Sequence, residues 1–97
     1  MPVILKNNAS STLATAITAS DTAIVVADGS QFPALSAGEY FYATLVSPAG
    51  TTEIIKVTAR VSNALTVVRA QDGSSAASFQ AGTLVDMRVN AASVDDL

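Results

Sequence analysis

Hydrophobic and polar positions alternate over several short stretches of this chain, and turn-forming residues separate those stretches. The plainest is residues 39–46. Phe41, Ala43 and Leu45 fall on one face there, with Tyr40, Tyr42 and Thr44 on the other. Ser47-Pro48-Ala49-Gly50 supplies a four-residue turn. A return strand over residues 51–61 then sets Ile55, Val57, Ala59 and Val61 against Lys56, Thr58 and Arg60. Ser62-Asn63 is a two-residue connection into residues 64–69, where Leu65 and Val67 share a face. A last strand over residues 83–90 places Val85, Met87 and Val89 opposite Asp86, Arg88 and Asn90.

The first part of the chain follows the same grammar less regularly. Residues 2–5 are extended and apolar, and a Ser/Asn-rich break follows them, so residues 1–11 read as a first strand or an extended arm. Residues 12–18 carry Leu13 and Ile17 four apart. Their Thr content favours a strand over a helix. With Ser20-Asp21 as the turn, they are expected to form a hairpin with residues 22–27, which Asp28-Gly29-Ser30 closes. Gln31-Phe32-Pro33-Ala34-Leu35 reads as a plug, because Pro33 opposes a continuing ladder while Phe32 and Leu35 offer apolar anchors. Residues 76–79 are expected to make a helical turn that buries Phe79, and a second helical turn is expected from Ser93 onward.

Strands recurring every 8–12 or so residues between Gly, Pro and Asn predict an all-β fold. The expected form is a small antiparallel sandwich or barrel of about six to eight short strands with a short C-terminal helical turn. At 97 residues, with no internal linker, the chain is expected to form a single β domain over residues 1–97. Nearly half of the residues, 49%, are hydrophobic, and only 13% are charged, against roughly 25% in ordinary domains. So few charges imply apolar or small-residue surface that faces a partner.

The net charge of −3, with cations scattered at Lys6, Lys56, Arg60, Arg69 and Arg88, argues against nucleic acid and anionic membranes as partners. The start, Met1-Pro2-Val3-Ile4-Leu5-Lys6, lacks the basic segment and long apolar run of a secretory signal. There is no Cys and no His, which removes disulfides, Ser-His-Asp and Cys-His nucleophile systems, and His-containing zinc sites.

The mid-chain acids Glu39, Glu53, Asp72 and Asp86 could supply a general acid/base pair, with Glu53 and Asp86 the pair to test. They share no motif, so each reads as a turn or solvated-face residue. Asp28-Gly29-Ser30 and Asp72-Gly73-Ser74 lack the further ligands of a calcium loop and read as turns. Gly73 and Gly82 precede no long helix, so they do not form a phosphate cradle. No catalytic, cofactor-binding or metal-ligating residue is expected. The candidate contact residues are Val3, Ile4 and Leu5 of the arm and Tyr40, Tyr42 and Ile54 of the sheet. The two tyrosines suit a cross-strand pair, an interface or a stacking platform for a glycan.

The run from Ile17-Thr18-Ala19-Ser20-Asp21 through Val25-Val26-Ala27-Asp28, with Phe32-Pro33 behind it, resembles the opening of small virion proteins of tailed bacteriophages. Thr52-Glu53-Ile54-Ile55-Lys56-Val57-Thr58 and Leu65-Thr66-Val67-Val68-Arg69-Ala70-Gln71-Asp72-Gly73 share that resemblance, as does the spacing Ala76-x-x-Phe79-x-x-Gly82-x-x-Val85. It runs from about Ile17 to Leu97 and implies a β-rich structural role in the virion, often as a trimer or other symmetric ring, with no active residues.

The expected function is that of a capsid decoration (cement) protein of the head. Its partners would be further copies of itself and the major capsid protein, and it would reside in the virion after synthesis in the host bacterial cytoplasm. The alternative is a tail, collar or fibre-attachment module, of which the absence of a fibre shaft after Leu97 disfavours the fibre reading. A glycan-binding module and an enzyme with a carboxylate pair follow at a distance.

Overall fold

The computed structural model describes residues 9–87. Its strands are β1 (Ser10–Thr12), β2 (Ala23–Val25), β3 (Phe41–Val46), β4 (Thr52–Val61), β5 (Ala64–Gln71) and β6 (Leu84–Asp86). They form one antiparallel sheet in the order β1-β6-β3-β4-β5-β2, curled into a half-barrel around its apolar face. The two edge strands meet through a bridge between Leu13 and Val26, flanked by Ala14 N–H to the Val25 carbonyl and Ala27 N–H to the Thr12 carbonyl, both 2.8 Å.

Alternation explains the core. Phe41, Ala43 and Leu45 of β3 point inward, as do Ile55 and Val57 of β4, Leu65 and Val67 of β5, and Val85 of β6. Phe32 lies stacked on Phe41 with ring centroids 5.6 Å apart, and Leu35 packs against the same cluster, so the expected plug is present. Its entrance is a 3-10 turn, Gly29–Gln31, the helical segment among the described residues. The turn at residues 47–50 is also as expected. Ser47 N–H reaches the Thr51 carbonyl at 2.9 Å, and Gly50 takes φ 93°, where a side chain would be strained.

Four expectations are corrected or fall elsewhere. The hairpin of residues 12–18 with 22–27 is reduced to the one edge bridge, because β1 pairs with β6 and β2 pairs with β5 instead. Residues 76–79 are not helical; Phe79 instead pairs with Ile17 through two backbone hydrogen bonds, of 2.8 and 3.0 Å. On β4, a bulge between Val57 and Ala59 reverses the alternation. It puts Arg60 opposite buried Leu65 and leaves Val61 75% exposed, not in the core. The C-terminal helical turn from Ser93, the Arg88–Asn90 end of the last strand, and Val3, Ile4 and Leu5 of the arm lie outside the described residues.

Candidate functional site

The chemistry concentrated inside this half-barrel is an ion pair. Glu53 continues the inward row of Ile55 and Val57 on β4, and Arg69 continues that of Leu65 and Val67 on β5. Glu53 is completely buried and the Arg69 side chain is 7% exposed. The guanidinium donates from Nε to Glu53 Oε2 and from Nη2 to Oε1, both at 2.7 Å, a bidentate pair.

Every remaining donor of Arg69 has a backbone acceptor. Nη1 reaches the carbonyls of Thr18 at 2.6 Å and Asp21 at 2.9 Å, and Nη2 reaches that of Ala77 at 2.6 Å. The carboxylate is filled as completely: the backbone N–H of Ala70 donates to Oε2 at 2.9 Å and that of Ala77 to Oε1 at 3.0 Å. Burial by itself would raise the Glu53 pKa. The Arg69 hydrogen bonds, the two amides and the Arg69 charge outweigh it and hold the carboxyl below its ordinary value.

A second bulge delivers the Ala70 amide. Between the pairs Ile54–Gln71 and Lys56–Val68 the register gains a residue on β5, and Ala70 takes φ 55°, in the left-handed region. The result is a clasp: one side-chain pair ties β4 and β5 to the segment before β2 and to the connection after β5. Glu53 is therefore not the solvated-face acid the sequence suggested. It and Asp86 also cannot form a carboxylate pair. The row Val85–Leu45–Glu53 faces inward, while the neighbouring row Asp86–Thr44–Ile54 faces outward.

The structure does bring Tyr40 and Tyr42 together. Their rings meet edge-on with centroids 5.7 Å apart, and the Lys56 ammonium lies 4.2 Å from the Tyr40 ring centre. Tyr42, whose cross-strand partner is Lys56, is only 6% exposed, contrary to the half-exposed face expected of it. Tyr40 and Ile54 stay half-buried. With one ring buried and a cation over the other, the pair does not form an open stacking platform.

Asp28-Gly29-Ser30 is a docking turn. Asp28 accepts from Ser30 N–H at 3.1 Å, and Gly29 N–H donates to Asn63 Oδ1 at 2.8 Å. A Cβ on Gly29 would lie 2.1 Å from the Ser62 carbonyl oxygen, so the residue has to be Gly for the plug to seat on the β4–β5 turn. Asp72 and Gly73, with φ 51° and 79°, form a plain turn.

A groove of about 310 Å³ runs between the 47–51 turn and residues 78–83. Its lining holds no charged group. Two of its hydroxyls are already engaged, Ser47 Oγ by Thr51 N–H and Thr83 Oγ1 by the Gln80 carbonyl. Among the described residues no three metal-ligating side chains come together, and no helix is long and apolar enough to cross a membrane.

The sequence reading missed Arg69, Asn63 and the carbonyls of Thr18, Asp21 and Ala77. A signal for Arg69 and Glu53 was present, since both occupy inward positions of alternating strands. No protein-family model matches the chain, and no curated protein matches it significantly.

Proposed function

We propose that this protein is a structural component of a bacteriophage virion, a capsid decoration protein that binds the assembled head. The observation that carries this reading is the outer face of β2, β5 and β4. Val25, Ala64 and Val61 stand side by side there, and Val68 lies two rows further along beside Lys56. Val25, Val61 and Val68 are 40%, 75% and 46% exposed, and Lys56 is the charge adjoining them on this face. Clustered exposed apolar side chains on a protein this poor in charge mark a contact surface.

Decoration of this kind works by mass action. A protein that binds the assembled lattice and not its free subunits stabilises the shell, by about 2.7 kcal/mol per site at a hundredfold excess over Kd. Copies of this chain would surround symmetric points of the shell, with the apolar face and the arm residues Val3, Ile4 and Leu5 against the major capsid protein. The glycan reading is not carried forward, because Tyr42 is buried and Lys56 covers Tyr40.

The test is co-sedimentation with purified phage heads and, separately, with tails. Pelleting with heads, lost on deleting residues 1–8 or introducing Val61→Lys while the domain stays folded, is the expected result. Pelleting with tails alone would move the protein to the tail, collar or fibre-attachment alternative. No pelleting with either would overturn the proposal.

A further inference from the structure

We infer that the Glu53–Arg69 pair is a releasable clasp: when Glu53 takes up a proton, the segment at residues 17–21 and the connection at residues 75–79 come away together while the β3–β4 ladder stays formed. This concerns the fold itself and does not depend on the virion reading.

The geometry makes the clasp all-or-none. Each Glu53 oxygen accepts two N–H donors, so the carboxylate has no lone pair left over and no acceptor beside it. A proton added to either oxygen creates an O–H aimed at N–H groups. At least one donor must leave, and Arg69 then carries an uncompensated charge at a site almost closed to water. The guanidinium relaxes by moving toward solvent and loses the carbonyls of Thr18, Asp21 and Ala77 as it goes.

For residues 18–21, the hydrogen bonds to the other strands are those at the Thr18 and Asp21 carbonyls. Across residues 75–78, the hydrogen bonds to the rest of the described barrel are the two that Ala77 makes to the pair. What remains is the Ile17–Phe79 bridge, with both residues buried, and at the far ends of the two segments the bonds from Val67 N–H to the Thr22 carbonyl at 2.8 Å and from Ile54 N–H to the Ser74 hydroxyl at 2.9 Å. The β3–β4 ladder is paired over six positions and carries none of its bonds through the clasp.

The charged surroundings single out Glu53. From β5 the facing group is Arg69. From the segment before β2, Asp21 turns its carboxylate to Thr18 N–H at 2.9 Å and only its carbonyl to Arg69. The facing position of β3 is Leu45, and residues 73–80 contain no charged side chain. Asp72 is exposed in its turn. The depressed Glu53 pKa sets release below the ordinary carboxylate range.

Amide hydrogen exchange of the full chain across a pH series, corrected for intrinsic rates, tests this. As pH falls below the ordinary carboxylate range, the Ala70 and Ala77 amides are expected to lose protection together by at least about tenfold. The β3–β4 amides should keep theirs. The response should persist with Asp21→Asn, and Glu53→Gln should show the open pattern at neutral pH. If these two amides lose protection only when β3–β4 does, the clasp is not separately releasable and the inference fails. It fails equally if Asp21→Asn abolishes the response. The wild-type series decides the matter even if Glu53→Gln does not fold.

Discussion

Arg69→Met removes the guanidinium while keeping an unbranched side chain on the inner face of β5. The change strips Glu53 of two of its four donors and of its compensating charge, it orphans the carbonyls of Asp21 and Ala77, and it takes one of two donors from that of Thr18. An exposed ion pair would contribute about 0.2–1 kcal/mol. Here the carboxylate is fully buried and the arginine nearly so, and breaking one side of such a pair costs about 3–5 kcal/mol. Against a total stability of about 5–15 kcal/mol for a domain, that is a large fraction. In urea the unfolding midpoint should fall by about 2 M, taking a slope of about 1–3 kcal/mol per M.

The double variant Glu53→Leu, Arg69→Met sharpens the point. Replacing a buried ion pair by apolar residues is often neutral or stabilising. Here the replacement would leave the Ala70 and Ala77 amides and the Asp21 and Ala77 carbonyls without partners, each costing about 1–3 kcal/mol where water cannot reach it. The double variant should therefore remain clearly less stable than the wild type. A loss below about 1 kcal/mol for Arg69→Met, or a double variant as stable as the parent, would refute the idea that the pair organises these segments.

Other consequences are simpler to measure. Gly29→Ala pushes a methyl to 2.1 Å from a backbone oxygen and should cost about 1–3 kcal/mol by thermal or urea unfolding; an unchanged midpoint would mean the plug does not seat there. Ala70→Gly relieves a left-handed alanine and should raise stability slightly, by about 0.5 kcal/mol once the freer unfolded chain is counted, whereas a clear loss would contradict the bulge geometry. Phe32→Ala removes a fully buried ring stacked on Phe41 and should cost about 3–5 kcal/mol, with less than about 1 kcal/mol counting against the plug as part of the core. Because Glu53 is held below its ordinary pKa, its share of stability is fully present above the unfolded-state value. That share should disappear as pH falls through the folded-state value, and a pH–stability curve flat across that window would be the contrary result.

How much of this was legible in the chain follows from what is local and what is not. Side chains alternate with period two along any strand, so the sequence by itself placed Phe41, Ala43, Leu45, Ile55, Val57, Leu65, Val67 and Val85 in the core. Turn chemistry likewise located residues 47–50, Ser62-Asn63 and the Phe32 plug. The rest depends on contacts between strands distant in the chain. A bulge is one extra residue whose position depends on the partner strand, so the reversal that exposes Val61 and turns Arg60 inward could not be read from β4 alone.

Pairing partners are chosen across the sheet, which is why the expected hairpin of residues 12–18 with 22–27 shrank to one bridge while β1 and β2 paired with strands far along the chain. Glu53 and Arg69 show both sides of the division. Alternation already aimed each of them inward, but their meeting needed β4 and β5 to pair. Its completion needed backbone carbonyls and amides from residues 18, 21, 70 and 77, which no side-chain pattern encodes.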